Sequence, residues 1–372
     1  MRIAISGMVA GDPHQGGASW AVLQYVLGLR RLGHEVLLVE PVAVGELEGS
    51  ASASYLAAVT ERFGLEHATL VDPDCESAPL PRERLREWIG DADLLLNVSG
   101  MLTVPELLEP VPVRAYLDLD PFFNQHWHLQ GADMRFAAHT HFVTVAAGIG
   151  GEENEVPTLG FDWIETLPPV VLEEWEPASE PPTLPFTTIG HWRSYGPIEL
   201  DGERYGLRAH SLRGLVELPR RTRADFLLAL GIHESEREDL EALAQNGWRL
   251  VDPAEAVATP DRYREFVRAS TAEIGIAKEG YVRSRSGWFS DRSACYLACG
   301  RPVVAQDTGF GRALPVGEGL LAFGTVDEAA AAVEDVLARP AEHARAARAI
   351  AEELLDSDRV LGRLVERLGA SA

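Results

Sequence analysis

Cysteine is scarce in this sequence. Of 372 residues only Cys75, Cys295 and Cys299 are cysteines, and no two stand in a CxxC pair. That excludes a disulfide framework and suits a reducing cytoplasm. Cys295 and Cys299 stand four apart on a helical pattern and read as small buried hydrophobes rather than metal or redox ligands. Basic residues are few as well: 33 Lys and Arg stand against 57 Asp and Glu, a net formal charge of −24. A chain this acidic is repelled by nucleic acid and by anionic membrane surfaces, so any anion it binds must meet a local basic pocket. No apolar run approaches the roughly 18 residues of a membrane helix. The opening MRIAIS enters a strand directly, without the basic-then-apolar form of a signal peptide, so no leader is expected.

What is present is an alternation of strands and helices. Arg2 to Ser6 is an apolar strand, followed by the glycine-rich loop Gly7 to Gly17 and a helix from Ala18 to Leu32, with Ser19 as its N-cap. Gly33 stops the helix and Glu35 to Glu40 is the next strand. Strands follow at Ala68 to Val71, Asp93 to Val98, Val113 to Leu119 and Phe142 to Ala146, with helices at Tyr55 to Phe63 and Arg84 to Ile89. The apolar runs are near-continuous, as a buried parallel sheet requires.

Composition then shifts. Pro168 to Pro185 is dense in proline and glutamate and reads as a linker. A second series begins at Phe186: strands at Phe226 to Leu230, Trp248 to Val251, Glu273 to Ala277 and Pro302 to Ala305, and helices at Glu234 to Gln245, Asp261 to Ala269 and Ser290 to Cys299. Asp201-Gly202 marks a hairpin inside the stretch YGPIELDGERYGLRAHS, and Thr325 to Glu328 is a capping box. Terminal helices are expected at Glu342 to Leu354 and Arg359 to Leu368. The expected layout is a first domain over 1–167, a linker over 168–185, a second domain over 186–356, and a C-terminal helix over 357–372 that packs back on the first domain. Two Rossmann-like parallel α/β domains in tandem face each other across a cleft at the carboxyl ends of both sheets.

Two stretches resemble the GT-B glycosyltransferases, particularly the large retaining family called group 1. One is Gly16-Gly17-Ala18-Ser19, its helix, and Leu32-Gly33-His34-Glu35-Val36. The other is Trp288 to Thr308, with its core Ala298-Cys299-Gly300-Arg301-Pro302-Val303-Val304. The resemblance implies transfer of a sugar from a nucleotide-diphosphate sugar to a soluble small-molecule or glycan acceptor, in the cytoplasm, with no resident cofactor and no metal. One departure stands out. The family carries two glutamates about eight positions apart before that core, and here those positions are Gly287 and Cys295. The donor sugar must therefore be held differently.

The chemistry needs positive charge at the leaving diphosphate. Ser290-Asp291-Arg292-Ser293 offers N–H groups, a guanidinium and hydroxyls in one helical turn. It reads either as a phosphate site or as a plain N-cap with Arg292 in solvent, and the resemblance favours the phosphate site. Lys278 and Ser286 lie in the loop after the Glu273 to Ala277 strand. The resemblance also places a basic residue after the first strand of the second domain, where Arg193 and Ser194 stand, and a second one downstream. Arg208 fits that second place, with Arg213, Arg220 and Arg221 as rivals. Gly16 and Gly17 allow either close approach to a phosphate or sugar or simply a tight turn. His14 in the same loop is a general-base candidate. Asp118 and Asp120 end a strand. They read as acceptor-binding or general-base groups rather than as the metal-binding DxD of the other glycosyltransferase fold. His126 with His128, and His139 with His141, are too weakly spaced for zinc.

Two other readings share these residues. Sugar-nucleotide 2-epimerases have the same fold and need no acceptor. A non-catalytic sugar-nucleotide sensor would account for the missing glutamates. A pyridoxal phosphate phosphorylase would have only Lys278 to use in the later second domain. The sequence leaves the oligomeric state open.

Overall fold

Runs such as RIAIS, LLLNV and FLLALG become strands because their residues are apolar on both faces, which suits a sheet covered on both sides. The computed structural model describes residues 1–177 and 180–369. The chain forms two units. The first comprises Met1–Val145, Thr158–Val171 and the chain from Ser357; the second comprises Ala146–Pro157 and Leu172–Asp356.

The first unit is built on β1 (Arg2–Ser6), β2 (Glu35–Pro41), β3 (His67–Val71), β4 (Ser77–Ala78), β5 (Leu94–Val98), β6 (Val113–Asp118), β7 (His141–Thr144) and β8 (Trp163–Glu165). Their order is β4-β3-β2-β1-β5-β6-β7-β8, and every pairing is parallel except β3 with the short edge strand β4. Chain order reverses between β1 and β5, so the loop after β1 lies at the switch point of this sheet. One core cluster joins Leu37, Val39, Leu85, Ile89, Leu95 and Leu107. The last helix, Ser357–Arg367, packs on the helix Gly16–Arg31: Leu361 is fully buried, and Arg31 pairs with Asp358 at 3.1 Å.

The second unit contains β9 (Leu184–His191), β12 (Phe226–Gly231), β13 (Trp248–Val251), β14 (Ser270–Gly275), β15 (Val303–Gln306) and β16 (Leu320–Phe323). All six are parallel, in the order β13-β12-β9-β14-β15-β16. Between β9 and β12 in the chain lies a separate hairpin, β10 (Ile198–Leu200) and β11 (Glu203–Tyr205). Its turn residues Asp201 and Gly202 both have positive φ, as a two-residue hairpin turn demands. Phe186, Leu228, Ile274, Val304, Phe323 and Val333 share one core cluster.

The expectation of two parallel-sheet α/β domains is met. Four details differ from the sequence reading. Ser19 is not the N-cap: the helix already starts at Gly16, and the Ser19 hydroxyl lies inside it, donating to the Gln15 carbonyl and sharing a 2.9 Å hydrogen bond with Tyr55. Within the stretch read as a linker, the chain passes between units after Val171 and β9 begins at Leu184; residues 178–179 of it lie outside those described. The strands β4, β8 and β16 were not foreseen, because runs of two to four residues carry too little periodicity. The segment Ala146–Pro157 belongs to the second unit although it follows β7. No helix among the described residues is long and apolar enough to cross a membrane.

Candidate functional site

In the second unit chain order reverses between β9 and β14, so a crevice is expected beyond the carboxyl ends of those two strands. Two arginines bridge the strands there. Arg292, in the helix Asp291–Ala298, donates from Nε to Glu273 Oε1 of β14 at 2.5 Å and from Nη1 to the Ile189 carbonyl of β9 at 2.8 Å. Arg208, the first residue of the helix Arg208–Arg213, donates from Nε to the Ile276 carbonyl at 2.9 Å and from Nη1 to the His191 carbonyl at 3.1 Å. The second guanidinium thus crosses the same seam two to three residues further on. Gly190 has to be glycine for this, since a Cβ there would lie 1.8 Å from Arg208 Nη1.

The electrostatics of the two differ. Burial opposes charge on Arg292, but Glu273 outweighs it and holds the guanidinium above its usual range. Among the described residues Arg208 meets carbonyl oxygens only. Burial, and then repulsion from Arg292, push it down to about 9. Lys278, just past β14, adds a third cation. Its ammonium bonds the Tyr195 hydroxyl and, at 3.2 Å, the Tyr281 hydroxyl, and lies 4.3 Å from the Tyr195 ring centroid. Tyr281 stacks on Trp288 with centroids 4.5 Å apart. A cavity lined by Ile276, Ala277, Trp288, Ser290, Arg292, Ser293, Gln306 and Thr308 opens beside them. It measures about 10 Å³, room for about one water. Ser290 caps the helix by accepting the Arg292 N–H, and burial raises the Asp291 carboxyl beside it.

The remaining second-unit candidates fall differently. Arg193 is turned to Glu236, with Nε 2.5 Å from Oε1, and Ser194 beside it is exposed. Arg213 pairs with Asp239, Arg220 bonds the Gln245 carbonyl, and Arg221 pairs with Glu217 and Asp327, which leaves Arg208 alone of these four at the seam. Two expectations need correction. Ser286 is fully buried and its hydroxyl is taken up by its own turn, donating to the Tyr281 carbonyl and accepting the Trp288 N–H, both at 3.3 Å. Arg292 is neither a free cation at the helix tip nor solvated, because its side chain folds back to Glu273.

In the first unit the glycine-rich loop after β1 is held by a residue the sequence reading passed over. Glu40, fully buried at the end of β2, accepts the backbone N–H groups of Val9, Ala10 and Gly11 at 2.7, 3.0 and 3.3 Å. An acid closing the apolar run EVLLVE was the available signal. Burial raises the Glu40 carboxyl to about 7, although those N–H donors favour its ionised form. A folded value above the ordinary 4.5 means that the contribution of Glu40 is full below pH 4.5 and is lost as pH rises through 7. Ionising it in place costs on the order of 3 kcal/mol. Glu40→Gln is expected to abolish that loss. Urea denaturation at about pH 5 and about pH 8 checks this: the wild type should weaken between them by more than the variant does.

His14 is exposed, at positive φ, with its ring edge-on to Tyr55 at 5.3 Å; Gly16 opens the helix and Gly17 follows. Asp118 is a correction. It is fully buried and its carboxylate is consumed by Asn124 Nδ2 (2.6 Å), Gln125 Nε2 (2.7 Å), the Asp120 N–H (3.0 Å) and Thr144 Oγ1 (3.3 Å). It ties β6 to the helix Phe123–Leu129 and presents no lone pair to a ligand, so the pair cannot act as a DxD metal clamp. Asp120 remains part-exposed at the strand end. Beside it Phe122 is held at φ +79°, uncommon for a bulky residue. Among the described residues no group of three or more His, Cys, Asp or Glu side chains is placed to hold a metal ion.

Comparison with known proteins agrees with this geometry. Residues 221–365 match the family model described as glycosyl transferase-like. No curated protein matches significantly. Among solved structures, Anabaena HepE in complex with UDP and glucose superposes with a TM-score of 0.62 at 12% identity, covering 100% of both chains. An α-glucosyltransferase in complex with UDP gives 0.63 at 12% identity, over 99% of this chain and all of that one. Sucrose-phosphate synthase from Thermosynechococcus elongatus gives 0.57 at 14% identity over 100% of both. These likenesses establish the fold as that of the GT-B glycosyltransferases.

Proposed function

We propose that this chain is a glycosyltransferase that takes a sugar from a nucleoside-diphosphate sugar, binds the diphosphate in the second unit, and needs no metal to do so. The observation that carries the reading is Arg208. It is a guanidinium lodged between two strand ends, meeting no carboxylate among the described residues and pushed down in pKa by its surroundings. A site that keeps an arginine in that condition is short of an anion. A diphosphate supplies one, and with Lys278 and the Ser290-capped helix start the cations would take the place of a divalent ion on the leaving group. The glycosyl transferase-like match over 221–365 covers Lys278 and the Ser290-capped helix start, while Arg208 and His191 precede it.

In this reading the first unit serves the acceptor, with Asp120 as the group that takes the proton from its hydroxyl and His14 as the alternative. The acceptor is soluble and not nucleic acid, since the net charge of −24 opposes polyanions. An α-glucosyltransferase of this fold has nevertheless been solved with UDP-glucose and DNA, so that point needs a direct assay. Three free, buried cysteines suit work in the cytoplasm. HepE and the α-glucosyltransferase were solved with UDP, which makes UDP the first nucleotide to try.

Thermal shift and calorimetry with UDP, GDP and dTDP, in the presence of chelator, test the reading. At least one should raise the melting temperature and bind. No response to any of the three would overturn it.

A further inference from the structure

Ala146–Pro157 lies between two stretches of the first unit in sequence, yet it docks on the second, against the loop that walls the cavity described above. The docking is specific. Ala146 forms a β-bridge with Trp288, and the Glu155 N–H donates to the Ser284 carbonyl at 2.9 Å. Asn154, 7% exposed, acts as a staple: Nδ2 donates to the Ala147 carbonyl (3.1 Å) and the Ser286 carbonyl (3.0 Å), while Oδ1 accepts the Val156 N–H (2.9 Å). Glu153 closes an ionic clasp with Arg312 (3.1 Å) and Arg285 (3.6 Å).

Gly287 is where this matters. Its φ is +73°, and a Cβ on it would lie 2.1 Å from the Ala147 carbonyl oxygen and 2.5 Å from the Ala147 nitrogen. No side chain fits there while the segment is seated. The constraint reaches the cavity in two bonds: the Gly287 N–H donates to the Thr308 carbonyl (2.7 Å), and Thr308 Oγ1 donates to the Trp288 carbonyl (2.5 Å). Trp288 and Thr308 both line the cavity. The backbone of Ala147 therefore occupies the space that a side chain at 287 would use, and the same segment fixes the position of the Trp288 wall.

We infer that Ala146–Pro157 is a strap that sets the sugar-binding side of the donor site and so decides which sugar the donor carries, with Asn154 and Gly287 as positioning residues. The inference rests on the reading of the second unit as a nucleotide-sugar site. It separates two parts of the ligand. Arg208 is bonded to the Ile276 and His191 carbonyls and Lys278 to the Tyr195 and Tyr281 hydroxyls, all outside the strap, so the diphosphate and the sugar should respond differently when it is loosened.

The test is calorimetry on the wild type, Asn154→Ala and Gly287→Ala, with UDP and with UDP-glucose, UDP-galactose and UDP-N-acetylglucosamine. The GDP or dTDP forms are used instead if that base is the one that binds. Hydrogen exchange at the Ala147 and Glu155 amides reports whether the strap is released. The expected result is faster exchange, nucleoside-diphosphate affinity within about twofold of the wild type, and preference among the three sugars reduced at least tenfold. Released amides with an unchanged sugar preference would overturn the inference, as would a wild type that binds the diphosphate and prefers none of the sugars. If either variant fails to fold, Glu153→Gln opens the exposed clasp without touching the core and is judged by the same two outcomes. A wild type that binds no nucleoside diphosphate at all would instead sink the functional reading on which the inference stands.

Discussion

Arg208→Met is expected to weaken nucleoside-diphosphate binding a hundredfold or more and to leave the melting temperature unchanged or raised. These two results seldom go together, and the combination follows from the surroundings of the side chain. The Arg208 guanidinium is bonded to the Ile276 and His191 carbonyls, which is too little to offset its desolvation and the nearby Arg292 charge, and its pKa falls to about 9. A base whose folded pKa lies below its ordinary range is a net cost to the fold wherever it is charged, hence at neutral pH. Methionine keeps the volume and removes that cost. The anion loses a cation held in a low-dielectric seam, and truncating one partner of a buried hydrogen-bonded charge pair costs roughly 2–5 kcal/mol of binding, a range that includes a hundredfold loss. Wild-type affinity for UDP should also fall as pH rises past about 9, and the variant should lack that fall. Calorimetry across pH and a thermal melt of both proteins check all three outcomes.

Arg292→Met should do the opposite to stability. Its partner Glu273 is fully buried, and one carboxylate oxygen, Oε2, already lacks a hydrogen-bond partner among the described residues. Removing the guanidinium leaves an uncompensated buried carboxylate, a change that typically costs about 3–5 kcal/mol. The double variant Arg292→Met/Glu273→Met should recover most of the loss, because replacing both members of a buried pair by apolar groups is often close to neutral. Urea denaturation followed by tryptophan fluorescence decides the matter. A single variant as stable as the wild type would show that the pair is not the link between β9 and β14. The two arginines, two to three strand positions apart, thus separate into a ligand-binding cation and a structural one.

Much of the fold was legible in the sequence because apolar runs of four to eight residues mark most of the strands. β1, β13 and the Thr325 capping box fall where their residues say. The site was legible only in outline. Arg208 and Lys278 could be named from their position after strands of the second sheet, but their settings could not. Whether Asp118 or Asp120 faces outward turns on where the strand ends and on Asn124 and Gln125, six and seven residues after Asp118, which is a tertiary fact. Arg292 reads as a helix-tip cation until the buried Glu273, 19 residues away, is brought beneath it. Glu40 and the Ala146–Pro157 strap escaped for the same reason. Each acts on chain far from it in sequence, through backbone groups that carry no residue-specific signal.

The path of the chain between the units has a consequence for its birth on the ribosome. The first unit is interrupted after Val171 and resumes only at Ser357. Its last piece seals the flank of the earliest long helix, with the Ser357 N–H on the Val170 carbonyl at 2.9 Å and Leu361 fully buried. Roughly 185 residues of the other unit are translated in between, which at about 5–20 residues per second takes on the order of ten to forty seconds. For that interval the helix Gly16–Arg31 of the nascent first unit carries an uncovered apolar stripe, while the later half can already close its own core. The half made first is thus finished last, and a chaperone acting during translation would find its target in the earlier-made unit.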